Sequence, residues 1–199
     1  MKLTDILSSE HRVIEQVVAA LDAAADRLDA GKRMRAGFFE DATRFIVEFS
    51  DGCHHAKEER VLFPALVKRG LPENSGPVAV MLYEHEEGRS LTAGLRDAVA
   101  RMAAEEAGAA DLVADYARAY ATLLTQHIFK EDNILFPLAT RVVPAGEWAA
   151  IGEEAERVDH GAHADYEDLA RRLCEDAGVD PDALPQRAVG LPCHAGQVA

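Results

Sequence analysis

Along the N-terminal stretch, inward positions recur at alternating steps of four and three: Leu7, His11, Ile14, Val18, Leu21, Ala25 and Leu28. That spacing keeps one face of an α-helix turned towards a core. It predicts a helix capped by Thr4, opening at Asp5 and stopping at Gly31. One inward position, His11, is not apolar. A second helix is expected from near Phe38, with Phe38, Phe39, Phe45, Ile46 and Phe49 as its core face, broken or kinked at Pro64. Residues 70–77 have loop composition, and Pro77 is well placed to open a third helix. The stripe of that helix is Met81, His85, Gly88, Thr92, Leu95, Val99 and Met102, which is the first stripe moved by 74 positions (85 − 11). Gly108 is expected to end it. A fourth helix from near Asp111 should present Tyr116, Tyr120, Leu124, His127, Glu131, Ile134 and Leu138 on one face.

The repeat extends to a phrase. His54-His55-Ala56-Lys57-Glu58-Glu59-Arg60-Val61-Leu62-Phe63-Pro64 and His127-Ile128-Phe129-Lys130-Glu131-Asp132-Asn133-Ile134-Leu135-Phe136-Pro137 both spell H-x-x-K-E-[ED]-x-[VI]-L-F-P, 73 positions apart (127 − 54). Each sets a histidine four residues before a glutamate, so imidazole and carboxylate share a helix face. The fold class expected is therefore all-α: an up-down four-helix bundle over residues 1–140, made of two copies of a helix pair. Additional C-terminal helices over 141–177 pack on it, one running from Trp148 towards Arg157 and one carrying His163, Tyr166, Leu169, Ala170 and Leu173. Residues 178–199, rich in Pro, Gly and Ala, are expected to be a flexible tail.

Composition narrows the partners. A formal net charge of −14 disfavours nucleic acid and anionic membrane, both of which need a basic surface. No uncharged apolar run approaches a membrane span, and the N-terminus lacks an apolar signal core, so a cytoplasmic protein is expected. Three cysteines at wide spacing, Cys53, Cys174 and Cys193, read as reduced thiols rather than a disulfide framework.

The repeat gathers His11, His54, Glu58, His85, His127 and Glu131 inside the bundle. Ionised carboxylates buried without partners cost several kcal/mol each, roughly. A shared metal centre removes that cost, and neutral imidazole with carboxylate suits iron, manganese or zinc. Two metals could each take two histidines while both carboxylates bridge, leaving positions open for water, oxygen, peroxide or nitric oxide.

The two H-x-x-x-E phrases in their K-E-[ED]-x-x-L-F-P setting, each preceded by a lone histidine one helix earlier, resemble the hemerythrin-like (HHE cation-binding) family over roughly residues 5–140. The resemblance implies a left-handed four-helix bundle around an oxo- or hydroxo-bridged non-haem pair of iron ions. It implies His11, His54, Glu58, His85, His127 and Glu131 as ligands, with Glu58 and Glu131 bridging. One departure stands out. Oxygen carriers of the family place a further histidine four before the third-helix one, where this chain has Met81. That favours the branches linked to oxygen or iron sensing, peroxide removal, nitric oxide or iron–sulfur repair over reversible oxygen storage. A catalase-like activity and a bundle merely braced by metal also remain open, and no protein partner or catalytic residue can be named.

His163 has two readings, as a fifth imidazole for the centre or as a packed or exposed histidine; His160, beside Asp159 and Gly161, is a weaker candidate. His55 and Glu59 form a rival H-x-x-x-E pair, but the counterpart of His55 is Ile128, which assigns the pair to the surface or to a supporting place behind the ligands. Glu15 lacks a symmetric partner, Arg89 standing in its place. Tyr116 and Tyr120 read as core packing, and Cys53 as a small buried residue. Cys193-His194 is too little for a metal site.

Overall fold

The computed structural model describes residues 1–35, 37–159 and 163–183, and among these it is all-helical. Helix α1 spans Leu3–Asp29; α2 covers 38–67; α3 spans Gly76–Ala103; α4 covers 109–142. These four long helices form the bundle. Two shorter ones follow, α5 at Trp148–Val158 and α6 at His163–Ala177. No single helix is long and apolar enough to cross a membrane among the described residues.

Helix ends follow local chemistry. The first helix opens two residues earlier than its sequence suggests. Thr4 is buried inside the first turn, and the Asp5 carboxylate accepts the Lys2 backbone N–H at 3.0 Å, serving one of the N–H groups a helix start leaves over. At its far end Gly31 adopts φ 69°, while Gly31 and Lys32 donate to the Leu28 and Arg27 carbonyls, the bond pair that closes a helix in a left-handed residue. Helix α3 stops before Gly108: Glu105 takes the left-handed position at φ 57°, and Gly108 precedes α4 instead.

The core is two apolar clusters with a polar level between them. One cluster runs from Ile14 along α1 and takes Phe38 to Phe49, Leu95 to Val99 and Val113 to Ile128. The other takes Leu3 and Leu7, Val61 to Leu66, Val78 and Met81, and Leu135 to Ala139. All four helices change cluster at the same height, where they carry Glu10 and His11, 50–58, His85, and His127 to Glu131. The described part of the C-terminal extension closes one side. Helix α6 lays Leu169, Leu173 and Cys174 into the first cluster; Cys174 Sγ donates to the Gln16 carbonyl at 3.3 Å, and the Tyr166 hydroxyl to Glu48 at 3.0 Å. Residues 184–199, which hold most of the expected tail and Cys193-His194, lie outside the described residues.

Helices α2 and α4 are not regular. Ile46–His55, Glu58–Leu62 and Glu131–Leu135 are π-helical, the backbone bonds running five residues back: Ala56 to Asp51, Phe63 to Glu58, Phe136 to Glu131. Such widened turns gather at functional sites. Two consequences follow. Pro64 and Pro137 do not end their helices, because each follows a turn that has already skipped a hydrogen bond, and α2 continues to Val67 and α4 to Val142. The inward stripe also slips by one residue past Glu131. Ile134, expected on the core face, is 52% exposed, and Leu135 is buried in its place. Gly52 permits the longest π stretch: a Cβ there would sit 3.0 Å from the Val47 carbonyl oxygen. Gly52→Ala is expected to cost about 1–3 kcal/mol, the usual range for forced crowding, and to lower the thermal midpoint by several degrees in a calorimetric scan.

Candidate metal centre

The structure brings His11, His54, Glu58, His85, His127 and Glu131 together at the polar level, all six almost wholly buried. It adds a seventh residue. His55 is 5% exposed, its ring stacked on that of His85 at 3.9 Å between centroids and edge-on to His127 at 5.5 Å. The expected place for His55, at the surface or behind the ligands, is corrected accordingly. Within the π-helical turn Ile46–His55, consecutive residues 54 and 55 both face inward. A signal was present in the sequence: the counterpart Ile128 is apolar and buried, which marks that position as inward even without a second histidine.

The donor atoms fall into two pockets. His11, His54, Glu58 and Glu131 form one; His55, Glu58, His85 and His127 form the other, and within each the nitrogen and oxygen atoms lie within 4.8 Å of one another. Glu58 belongs to both. Glu131 spans them too, its Oε2 lying 3.1 Å from His11 Nε2 and 3.3 Å from His127 Nε2. The inner atoms are largely orphaned. Nε2 of His54, His85 and His127, both nitrogens of His55, both oxygens of Glu58 and Oε1 of Glu131 are buried without a hydrogen bond. Buried polar atoms are normally paired. Six residues converging with unpaired inner atoms, joined by His11, fit one or two cations, and their nitrogen and carboxylate oxygen chemistry suits first-row transition metals.

The outer nitrogens are held by carboxylates, and this explains the repeated phrase. Nδ1 of His54 meets Glu10 at 3.0 Å, and Nδ1 of His127 meets Glu84 at 3.0 Å. Lys57 binds Glu10 and Lys130 binds Glu84. Nδ1 of His11 meets Asp132 at 2.9 Å and Nδ1 of His85 meets Glu59 at 2.7 Å. So in K-E-[ED] the lysine fixes the carboxylate that orients the phrase's own histidine, the middle glutamate enters the centre, and the last acid orients the lone histidine of the other copy. Such partners fix the ring tautomer so that Nε2 is free to ligate. The outer partner of His55 is Asp51, at 3.5 Å.

Comparison with known proteins agrees with this geometry. The Hemerythrin HHE cation binding domain profile matches residues 2–139. The chain belongs to the hemerythrin HHE cation-binding domain family. An uncharacterized protein of Mycobacterium tuberculosis is 27% identical over 154 residues, covering 77% of this chain and 60% of that one. The iron-sulfur cluster repair protein YtfE of Musicola paradisiaca is 34% identical over 99 residues, covering 44% of this chain and 40% of its own length. The iron-sulfur cluster repair protein DnrN of Neisseria gonorrhoeae is 36% identical over 86 residues, covering 42% and 54%. The chain thus spans 60% or less of the length of each of these relatives.

In this hemerythrin-like domain the buried charges divide unevenly. Burial, reinforced by the facing Glu131 charge, raises Glu58 well above the usual carboxylate range. Glu131 is buried as deeply, but the charge of His127 and the hydrogen bond from His11 outweigh that and hold it well below. Burial takes His54 down to about 3 against the opposing pull of Glu10. His127 goes the other way, to about 9, because Glu131 and Glu84 overcome its burial. Both shifts favour the protonated forms of Glu58 and His127 in the absence of a cation. Metal uptake must displace those protons. Titrating the metal-free protein with a divalent cation in weak buffer is expected to acidify the solution, and binding should weaken as pH falls.

The remaining candidates sit outside the centre. His163, considered as a fifth imidazole, is 34% exposed and does not join the six: its Nε2 meets Asp159 at 2.7 Å and Cys53 Sγ at 3.9 Å. Asp159 and Glu10 share the Lys57 ammonium, so the extension reaches the carboxylate behind His54 rather than the metal pocket. His160 lies outside the described residues. Glu15 pairs with Arg12 at 3.0 Å. Cys53 is buried, as expected. Tyr116 packs so tightly on Gly94 that a Cβ there would run into its ring. Tyr120 is buried, and its hydroxyl makes no hydrogen bond. Glu10→Gln, which weakens the hold on both Lys57 and His54, is expected to lower metal affinity 10–100-fold, the range for lost outer partners, measured by competition with a chromophoric chelator.

Proposed function

We propose that this protein holds two iron ions in the paired pockets and uses them to bind or react with a small oxidant: dioxygen, peroxide or nitric oxide. The ligands are His11 and His54 on one side, His55, His85 and His127 on the other, with Glu58 and Glu131 between. The observation that carries this is the convergence of buried, unpartnered Nε2 and carboxylate oxygen atoms on two spaces that share Glu58. A reduced pair of iron ions supplies two electrons to a small ligand at an open position. The chain's own residues set the rest. Four carboxylates hold imidazole rings by hydrogen bonds and Asp51 stands behind His55, two apolar clusters keep bulk water out above and below, and Glu58 with Glu131 offers a place for a proton. The names of the Musicola and Neisseria relatives, iron–sulfur cluster repair proteins, support a role in oxidative or nitrosative stress. Manganese or zinc would fit the same donors.

The test is anaerobic reduction of the loaded protein, followed by separate additions of dioxygen, peroxide and nitric oxide, watched by absorbance. A spectral response to at least one of them is expected. A reversible oxygen band would mark a carrier, and catalytic loss of peroxide an enzyme. No response to any of the three, with stability still dependent on metal, would leave only a bracing role and overturn the proposal.

A further inference from the structure

We infer that small anions reach the centre through a passage between α2 and α3 guarded by Arg96, and that the Tyr120 hydroxyl is the hydrogen-bond donor waiting at its inner end. The inference rests on the metal-centre reading above and names the ligand class that the same site admits.

The passage has two parts. A surface groove of about 450 Å³ lies between α2 and α3, lined by Glu40, Glu48, Arg44, Val47, Arg96 and Val99 among others, so that two carboxylates stand beside its two guanidinium groups. A smaller cavity of about 100 Å³ lies deeper, with His55, His85, Gly88, Thr92 and Tyr120 in its wall. Val47 and Arg96 belong to both, so they form the neck. The inner cavity ends on two imidazoles of one donor pocket, with Gly88 in its wall. Its volume equals that of about three liquid waters. This admits azide, peroxide or nitrite and excludes an organic substrate.

Charge selects further. The chain carries a formal net charge of −14, which repels anions at long range. The neck is an exception. Arg96 is exposed and forms no ion pair among the described residues, whereas neighbouring Arg89 is held by Asp51 at 2.8 Å and Glu59 at 3.1 Å. An unneutralised guanidinium above a narrow, partly apolar neck raises the local anion concentration. At the inner end, Tyr120 is 2% exposed and Ser50 1%; the two hydroxyls lie beside each other, and neither reaches a further partner, so two donors have at most one acceptor between them. A buried donor left unpaired is costly, and a ligand with a lone pair removes that cost. Here Tyr120 acts on the ligand, not on the metal.

Azide is the probe. Its association with the oxidised, metal-loaded protein is followed by absorbance in stopped flow across a salt series, with metal content measured in parallel. In native protein, association should slow as salt rises. Arg96→Glu should slow it at least fivefold at low salt and flatten the salt dependence. Val47→Trp, a substitution at a partly exposed neck position, should slow azide and uncharged nitric oxide alike. Tyr120→Phe should keep the association rate and raise dissociation about tenfold. All three variants are expected to hold as much metal as native protein. If metal content is native and the Arg96 and Val47 variants bind azide within twofold of the native rate, the passage lies elsewhere and the inference is overturned. If native protein takes up no metal, the reading beneath it fails first, and that result is separate.

Discussion

Replacing Glu58 by Leu is expected to change stability in opposite directions with and without metal. Glu58 is fully buried, makes no hydrogen bond, and belongs to both donor pockets. In the metal-free protein it is a liability, since a buried carboxyl without a partner is costly and an apolar replacement of similar volume is often neutral or stabilising by about 1–4 kcal/mol. In the loaded protein it is the shared ligand. Its loss should take metal content from two per chain to one or none, and with it the stabilisation that ligand binding confers, about 4 kcal/mol at a thousandfold excess over the dissociation constant. For a chain of this size, about 1 kcal/mol corresponds to roughly 2–4 °C in the thermal midpoint. So Glu58→Leu should melt no lower than native when both are stripped of metal, and clearly lower when both are loaded. A parallel loss in both states would show that Glu58 serves packing alone.

The second large effect separates the two histidines that compete for the role of fifth imidazole. His55→Ala should empty or weaken the pocket it shares with His85 and His127, lowering metal content towards one per chain and changing the absorbance of what remains. His163→Ala should leave both unchanged, because His163 is engaged with Asp159 at the edge of the extension. Elemental analysis of the two variants beside native protein decides this. Equal losses in both, or a loss only in the His163 variant, would contradict the arrangement of the pockets.

The bundle was legible in the sequence because its signal is periodic. The α1 and α3 stripes, displaced by 74 positions, survive in the structure as buried faces, and the two copies of the phrase, with His11 and His85 from those stripes, bring six polar residues to one level. What stayed hidden depends on departures from that period. The widened turn before His55 cannot be read from a 3.6-residue repeat, so His55 was set aside for want of a symmetric histidine while its neighbour His54 was not. The same irregularity put Ile134 on the wrong face and let the helices run through Pro64 and Pro137. The partners of the ring nitrogens were hidden for another reason. Glu10 and Glu84 stand 74 positions apart, each just before a lone histidine, but that Lys57 and Lys130 hold them, and that Glu59 and Asp132 serve the histidines of the opposite copy, is fixed only when four helices meet in three dimensions. Met81 remains informative: it is buried in the apolar cluster beneath the centre. In the proposed centre the imidazole it replaces in the carrier pattern would come from α2 instead, as His55, which lies in one donor pocket with His85 and His127.

The most direct test of the paired-pocket centre is the metal content per chain of protein purified from its native host, measured by elemental analysis with protein concentration from amino-acid analysis. Two iron ions per chain is the expected result, falling to one or none in Glu58→Leu. One metal ion or none in native protein, at a stoichiometry that excess iron under anaerobic conditions does not raise, would contradict it.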